Sequence, residues 1–157
     1  MKTLSKILMA TILTATAVPA MADSSYESAE AEAYAEIDLD LVERASGLLA
    51  TRSREALEFL KTELDSRKDR TNHGKAVRAA RALNLLALEM LSLAETGAPN
   101  YKLEETLEEI EFQFLQIDAT KRALARKYRS DRRDINKKFN AIRSSYMALK
   151  LELTGKL

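Results

Sequence analysis

The chain has 157 residues, 31% of them charged, with no cysteine and a net charge of only +1. That length suits one ordinary domain, and the missing cysteines exclude disulfides, thiol nucleophiles and c-type haem attachment. A near-neutral total also argues against wholesale nucleic-acid binding, so no nucleic acid is expected as a partner.

Residues 1–22 read as a cleaved secretory signal peptide. Lys2 and Lys6 form a charged start, Ile7 to Val18 is an apolar run, and Pro19 breaks it. Ala20-Met21-Ala22 then supplies the small residues a signal peptidase reads. A membrane anchor would need roughly 20 apolar residues, more than this run contains. Cleavage after Ala22 implies a periplasmic or secreted protein, and no cysteine follows that point to carry a lipid. In a compartment where disulfides form, a cysteine-free chain depends on its core or on self-association.

Residues 23–30 are expected to be a flexible acidic segment, and 31–157 a single helical domain. Acids dominate the start of this part: Asp23, Glu27, Glu30, Glu32, Glu36, Asp38, Asp40 and Glu43 precede its first base, Arg44. Strand signals are nearly absent, while Ala, Leu, Glu, Lys and Arg predominate, all strong helix formers. Ile37, Leu41, Val42, Ala45, Leu48 and Leu49 mark one amphipathic segment; Ala56, Leu57, Leu60 and Leu64 mark another. Thr51 or Ser53 between them could cap a new helix, and a chain reversal near 51–53 is the favoured reading over one helix running through.

Asn72-His73-Gly74 suggests a turn, with His73 on the surface. From Lys75 to Glu95 the predicted helix is apolar over most of its circumference, leaving a strip of Arg78, Arg81, Asn84, Glu89, Ser92 and Glu95 for water. Thr96-Gly97-Ala98-Pro99-Asn100 is a stronger break. Gly97 suits a left-handed cap, Pro99 stops continuation, and Asn100 can cap the next helix.

Leu103, Leu107, Ile110, Phe114 and Ile117 then step by alternating fours and threes, through Lys121 to Leu124 and Tyr128. This heptad seam suits side-by-side helix packing. It slips by one residue near Asp131, then runs through Ile135, Phe139, Ile142, Tyr146, Leu149 and Leu153. With no Gly or Pro between Asn100 and Gly155, one long helix adjusted near 129–134 is favoured over two helices meeting there. The predicted fold is all-α: helical hairpins in a four-helix-type bundle, with a long C-terminal heptad-patterned helix overhanging the rest.

No enzyme activity is expected. His73 is the single histidine, and no nucleophile-elbow or phosphate-loop motif accompanies it. Di-iron bundles use Glu-x-x-His pairs, which are missing, and Asp69 with His73 is one pair where zinc needs three or four ligands. No cofactor or metal is implied. An exported helical chain resembles periplasmic chaperones in outline, yet the LTxxQ-type motifs of one such family are absent, so no residue roles transfer from it.

Binding remains, and the charge distribution points to it. Lys121, Arg122, Arg126, Lys127, Arg129, Arg132, Arg133, Lys137, Lys138 and Arg143 face only Asp131 and Asp134 within 121–143. Most lie off the apolar seam and form the candidate binding face. Local pairs such as Asp118 with Lys121 or Arg122, and Asp134 with Lys138, would absorb only part of that excess. The leading expectation is a non-enzymatic bundle acting through protein–protein contacts, as an adaptor, small chaperone or assembly factor in the envelope or outside the cell. An anionic envelope lipid or glycan bound along 121–143 is the alternative, and a metal-carrying or enzymatic bundle the third. The acidic 23–43 segment could instead neutralise the basic face internally. A homodimer is a further option, with Lys121 and Asp131 in the seam setting an antiparallel register.

Overall fold

The computed structural model describes residues 37–155. The expected signal peptide, the acidic 23–30 segment and the first residues of the predicted domain lie outside the described residues. Four helices follow one another: α1 (Leu39–Thr62), α2 (Arg70–Glu95), α3 (Asn100–Lys127) and α4 (Arg132–Thr154). Each lies beside its chain neighbours, and α4 closes the ring against α1. The fold is an all-α four-helix bundle. Among the described residues no helix is long and apolar enough to cross a membrane.

Directions follow from the cross-helix bonds. Asn84 donates to the Ala50 carbonyl at 2.7 Å, and His73 Nε2 donates to the Leu60 carbonyl at 2.6 Å, so α1 and α2 run antiparallel. Lys121 to Asn140, Arg143 to Asp118 and Lys150 to Glu111 show the same for α3 and α4. Lys138 reaches Glu55 and Tyr128, just before α4, reaches Asp65, just after α1, so α4 runs antiparallel to α1. One end of the bundle therefore holds the 63–69 connection and the 128–131 turn. The other holds the start of α1, the 96–99 turn and the end of α4.

The division of the chain differs from the sequence expectation in three places. Residues 51–53 do not reverse direction; α1 runs straight through them. Its buried stripe passes Val42, Ser46, Leu49, Ser53, Ala56 and Leu60, alternating fours and threes without a gap. Ser46 and Ser53 occupy seam positions because their hydroxyls donate back to the Val42 and Leu49 carbonyls, at 2.6 and 2.7 Å. A small side chain whose polar atom is satisfied can be buried at little cost.

Residues 72–74 do not form a turn either. They sit in the first turn of α2, whose N-cap Asp69 accepts from the Asn72 backbone N–H. His73 is buried rather than exposed, because its ring satisfies a carbonyl in the last turn of α1.

The third difference is the largest. Residues 101–154 are two helices, not one long one, and no overhang remains. A helix continued past Tyr128 would carry Asp131 at the next seam position, where burial of a carboxylate is costly. It would also strand the α4 stripe (Ile135, Phe139, Ile142, Tyr146, Leu149 and Leu153) in water, whereas folding back leaves each at most 7% exposed. Phe114 and Tyr146 stack at 4.3 Å between ring centroids across the resulting α3–α4 contact.

The 96–99 turn forms as expected at Gly97, with φ 64°, and the Ala98 N–H bonds the Leu93 carbonyl. Asn100 does not cap α3; it is the first helical residue, after Pro99. On α2 the strip facing water is wider than predicted, since Leu85 and Leu88 are exposed, while Asn84 turns inward to α1.

Candidate functional site

The 128–131 turn builds the site. α3 ends with Arg126 and Lys127 in its last turn, a favourable place for cations beside the helix C-terminus. Tyr128 then leaves helical geometry and buries its ring, 1% exposed, while its hydroxyl donates to the Asp65 carbonyl at 2.7 Å. Lys68 Nζ lies 5.8 Å from the centre of that ring. Burial pushes the Tyr128 hydroxyl above its ordinary pKa. The turn is thus tied to the 63–69 connection, and the chain re-enters α4 at Arg132.

This anchoring gathers basic side chains from both helices. Lys121, Arg122 and Arg126 from α3, Arg129 from the turn and Arg132 from α4 line an open concavity of about 870 Å³, with Ala125 and Asn136. No carboxylate is part of its lining. Lys121 donates to Asn140 at 2.7 Å, and Arg126 Nε donates to the Arg122 carbonyl at 3.3 Å. Among the described residues none of the five cations pairs with an acid. Convergent like charges beside low-dielectric walls focus a positive potential into the space they line. Arg132 also stands in the first turn of α4, where the helix dipole disfavours a cation.

The ten predicted site residues therefore divide. Five meet in the concavity. Lys138 and Arg143 do not; they bridge helices, to Glu55 and Asp118, each at 3.2 Å. Lys127, Arg133 and Lys137 are exposed but lie outside the lining. Lys127 instead contributes to the field that lowers the Asp69 carboxyl below its usual range, an effect led by the hydrogen bond from Asn72. The expected local pairs of Asp118 with Lys121 or Arg122, and of Asp134 with Lys138, are replaced by these cross-helix pairs. The hydrogen bond from Lys138 likewise holds Glu55 below the ordinary carboxylate value, with Arg52 adding to it.

Two further expectations change. Lys121 does not occupy the seam, because Thr120 takes the buried position and its hydroxyl bonds the Ile117 carbonyl. Asp131 lies in the turn, so neither residue sets a register within a helical seam. The described part of the acidic segment, Asp38, Asp40 and Glu43, begins α1 at the end of the bundle opposite the basic concavity. Internal neutralisation by those three residues is thereby excluded. Sequence reasoning missed Asn136, whose place four residues after Arg132 becomes informative only once α4 folds back against α3. A smaller concavity of about 270 Å³ near the opposite end is acidic, with Glu89, Glu105 and Glu109 beside Leu93, Lys102 and Thr106.

Among the described residues no group of three His, Cys, Asp or Glu side chains could hold a metal ion. No protein-family model, curated protein or solved structure matches the chain.

Proposed function

We propose that this is an exported, non-enzymatic bundle protein that works through protein–protein contacts, docking an acidic segment of a partner against the α3–α4 turn. The observation that carries the reading is the convergence of Lys121, Arg122, Arg126, Arg129 and Arg132 on one concavity without an acidic neighbour in its lining. Guanidinium groups there would donate to carboxylates in bidentate pairs, which are stronger and more directional than single contacts. A rigid two-helix wall also keeps the ordering cost of binding small. An adaptor, small chaperone or assembly factor would use such a surface. Phosphates of an anionic envelope lipid or glycan suit the same cations and are the alternative.

The test is photo-crosslinking along α3 and α4 in the cell envelope, comparing the native chain with a variant carrying Gln at Arg126, Arg129, Arg132 and Arg133. The expected result is salt-sensitive capture of a protein with an acidic segment, lost in the variant. Capture that survives unchanged would overturn the proposal. Capture of lipid or glycan alone would replace it with the alternative.

A further inference from the structure

The outward face of α3 carries a second heptad stripe, used neither by the core nor wholly by the concavity. Tyr101, Glu105 and Glu108 lead it, Phe112 and Leu115 hold its middle, and Ala119, Arg122 and Arg126 complete it. Steps of four and three alternate throughout, and every one of these residues is exposed. Phe112 is 59% exposed and Leu115 54%, side by side on one helix face. Large apolar groups adjacent in the middle of a charged face form a contact surface rather than scattered exposure.

The pattern is self-complementary. We infer that a second copy of this chain packs antiparallel along the outward face of α3, about a two-fold axis passing between Gln113 and Phe114. In that register Phe112 of one copy meets Leu115 of the other, and Glu105 meets Arg122. Tyr101 faces Arg126, an aromatic–guanidinium pair, and Glu108 falls opposite the small Ala119. Parallel pairing would set Glu105 against Glu105 and Arg122 against Arg122, so charge selects the antiparallel direction. The arrangement gives an apolar centre with a polar rim and closes as a symmetric dimer. The seam runs nearly the whole of α3, whose 28 residues span roughly 40 Å. Alternating fours and threes are the spacing by which helices interlock side by side.

This interface is distinct from the inner seam of Leu103 to Tyr128, which the bundle itself buries. It stands on α3 alone and does not depend on the docking proposal above. Arg122 and Arg126 belong to both surfaces; Lys121, Arg129 and Arg132 belong only to the concavity.

Sedimentation velocity of the purified protein at low and high salt tests it. The expected behaviour is a monomer–dimer equilibrium that weakens with salt. Phe112→Ser with Leu115→Ser should weaken the dimer by about tenfold or more while leaving the helical circular dichroism unchanged, since both side chains are outside the core. Glu105→Arg or Arg122→Glu alone should each weaken it severalfold, because each places two like-charge contacts across the axis. Combined, the two reversals should restore association towards the native value. A mass that stays monomeric at low salt up to roughly 0.1 mM protein would overturn the inference. So would a double reversal no tighter than either single one. Arg129→Gln with Arg132→Gln should leave the dimer intact while removing partner docking, so either proposal can fail without the other.

Discussion

Residues 51–54 and 128–131 both lack glycine and proline, both are rich in polar side chains, and they do opposite things. The first stays helical; the second turns the chain around. The difference lies in what occupies the buried stripe. At 51–54 the seam position is Ser53, small enough to be covered and with its hydroxyl bonded to the Leu49 carbonyl. At 128–131 the seam would next require Asp131, a carboxylate with no buried partner to meet it. The chain turns there instead, and Tyr128 fills the space under the 63–69 connection. In these two segments, where neither glycine nor proline intervenes, the side chain due at the next seam position separates the helix that continues from the one that ends.

Substitutions at these two places should separate by size. Tyr128→Ala removes a fully buried aromatic ring and should cost about 3–5 kcal/mol in urea unfolding. Because Tyr128 positions the turn, the same variant should also lose salt-sensitive docking at the concavity, which a merely exposed tyrosine would not affect. Tyr128→Phe keeps the ring and removes only the bond to the Asp65 carbonyl, a loss of about 0.5–1.5 kcal/mol. A glycine at Ser53 should cost about 1 kcal/mol, since it loosens the interior of α1. Glycine at Ser130, exposed in the turn, should change stability by less than about 0.5 kcal/mol. Equal costs at 53 and 130 would contradict the account of why one segment stays helical.

A comparably small effect, set by pH, concerns the clasp between α4 and α1. Glu55 has a folded-state pKa below its ordinary value of 4.5, chiefly through the Lys138 hydrogen bond. Its contribution is therefore fully present above that ordinary value and is lost as pH falls through the depressed folded value. Glu55→Gln should cost about 0.2–1 kcal/mol near neutral pH, since the pair is partly exposed, and its difference from the native chain should fade well below pH 4.5. A difference that persisted in acid would mean that packing, not charge, holds the clasp.

Much of the site was legible as residue type but not as arrangement. The basic stretch 121–143 stands out in the sequence because ten bases face two acids there. Periodicity on one straight helix cannot say which of those bases converge. Arg132 and Arg122 share a concavity only because α4 returns along α3, and Lys138 and Arg143 are taken up by acids on other helices. Glu55 and Asp118, lying 83 and 25 residues from those partners, offer no local signal of pairing. The outward stripe of α3 was equally hidden. Its inner seam is the stronger pattern, and the exposure of Phe112 and Leu115 becomes meaningful only when the inner seam is already covered.

The sequence by itself determined the helical class, the Gly97 cap and nearly every buried position of α3 and α4, because those follow from propensity and from the three-and-four spacing of apolar residues. Tertiary structure alone decided the rest. Ser46 and Ser53 carry the core stripe of α1 because neighbouring helices cover them. The helix ends at Tyr128 because α4 has an apolar stripe that only the bundle can bury. Helix periodicity is a local property of the chain. The choice of which stripe meets which belongs to the packed whole, where burial of one face is worth more than continuity of one helix.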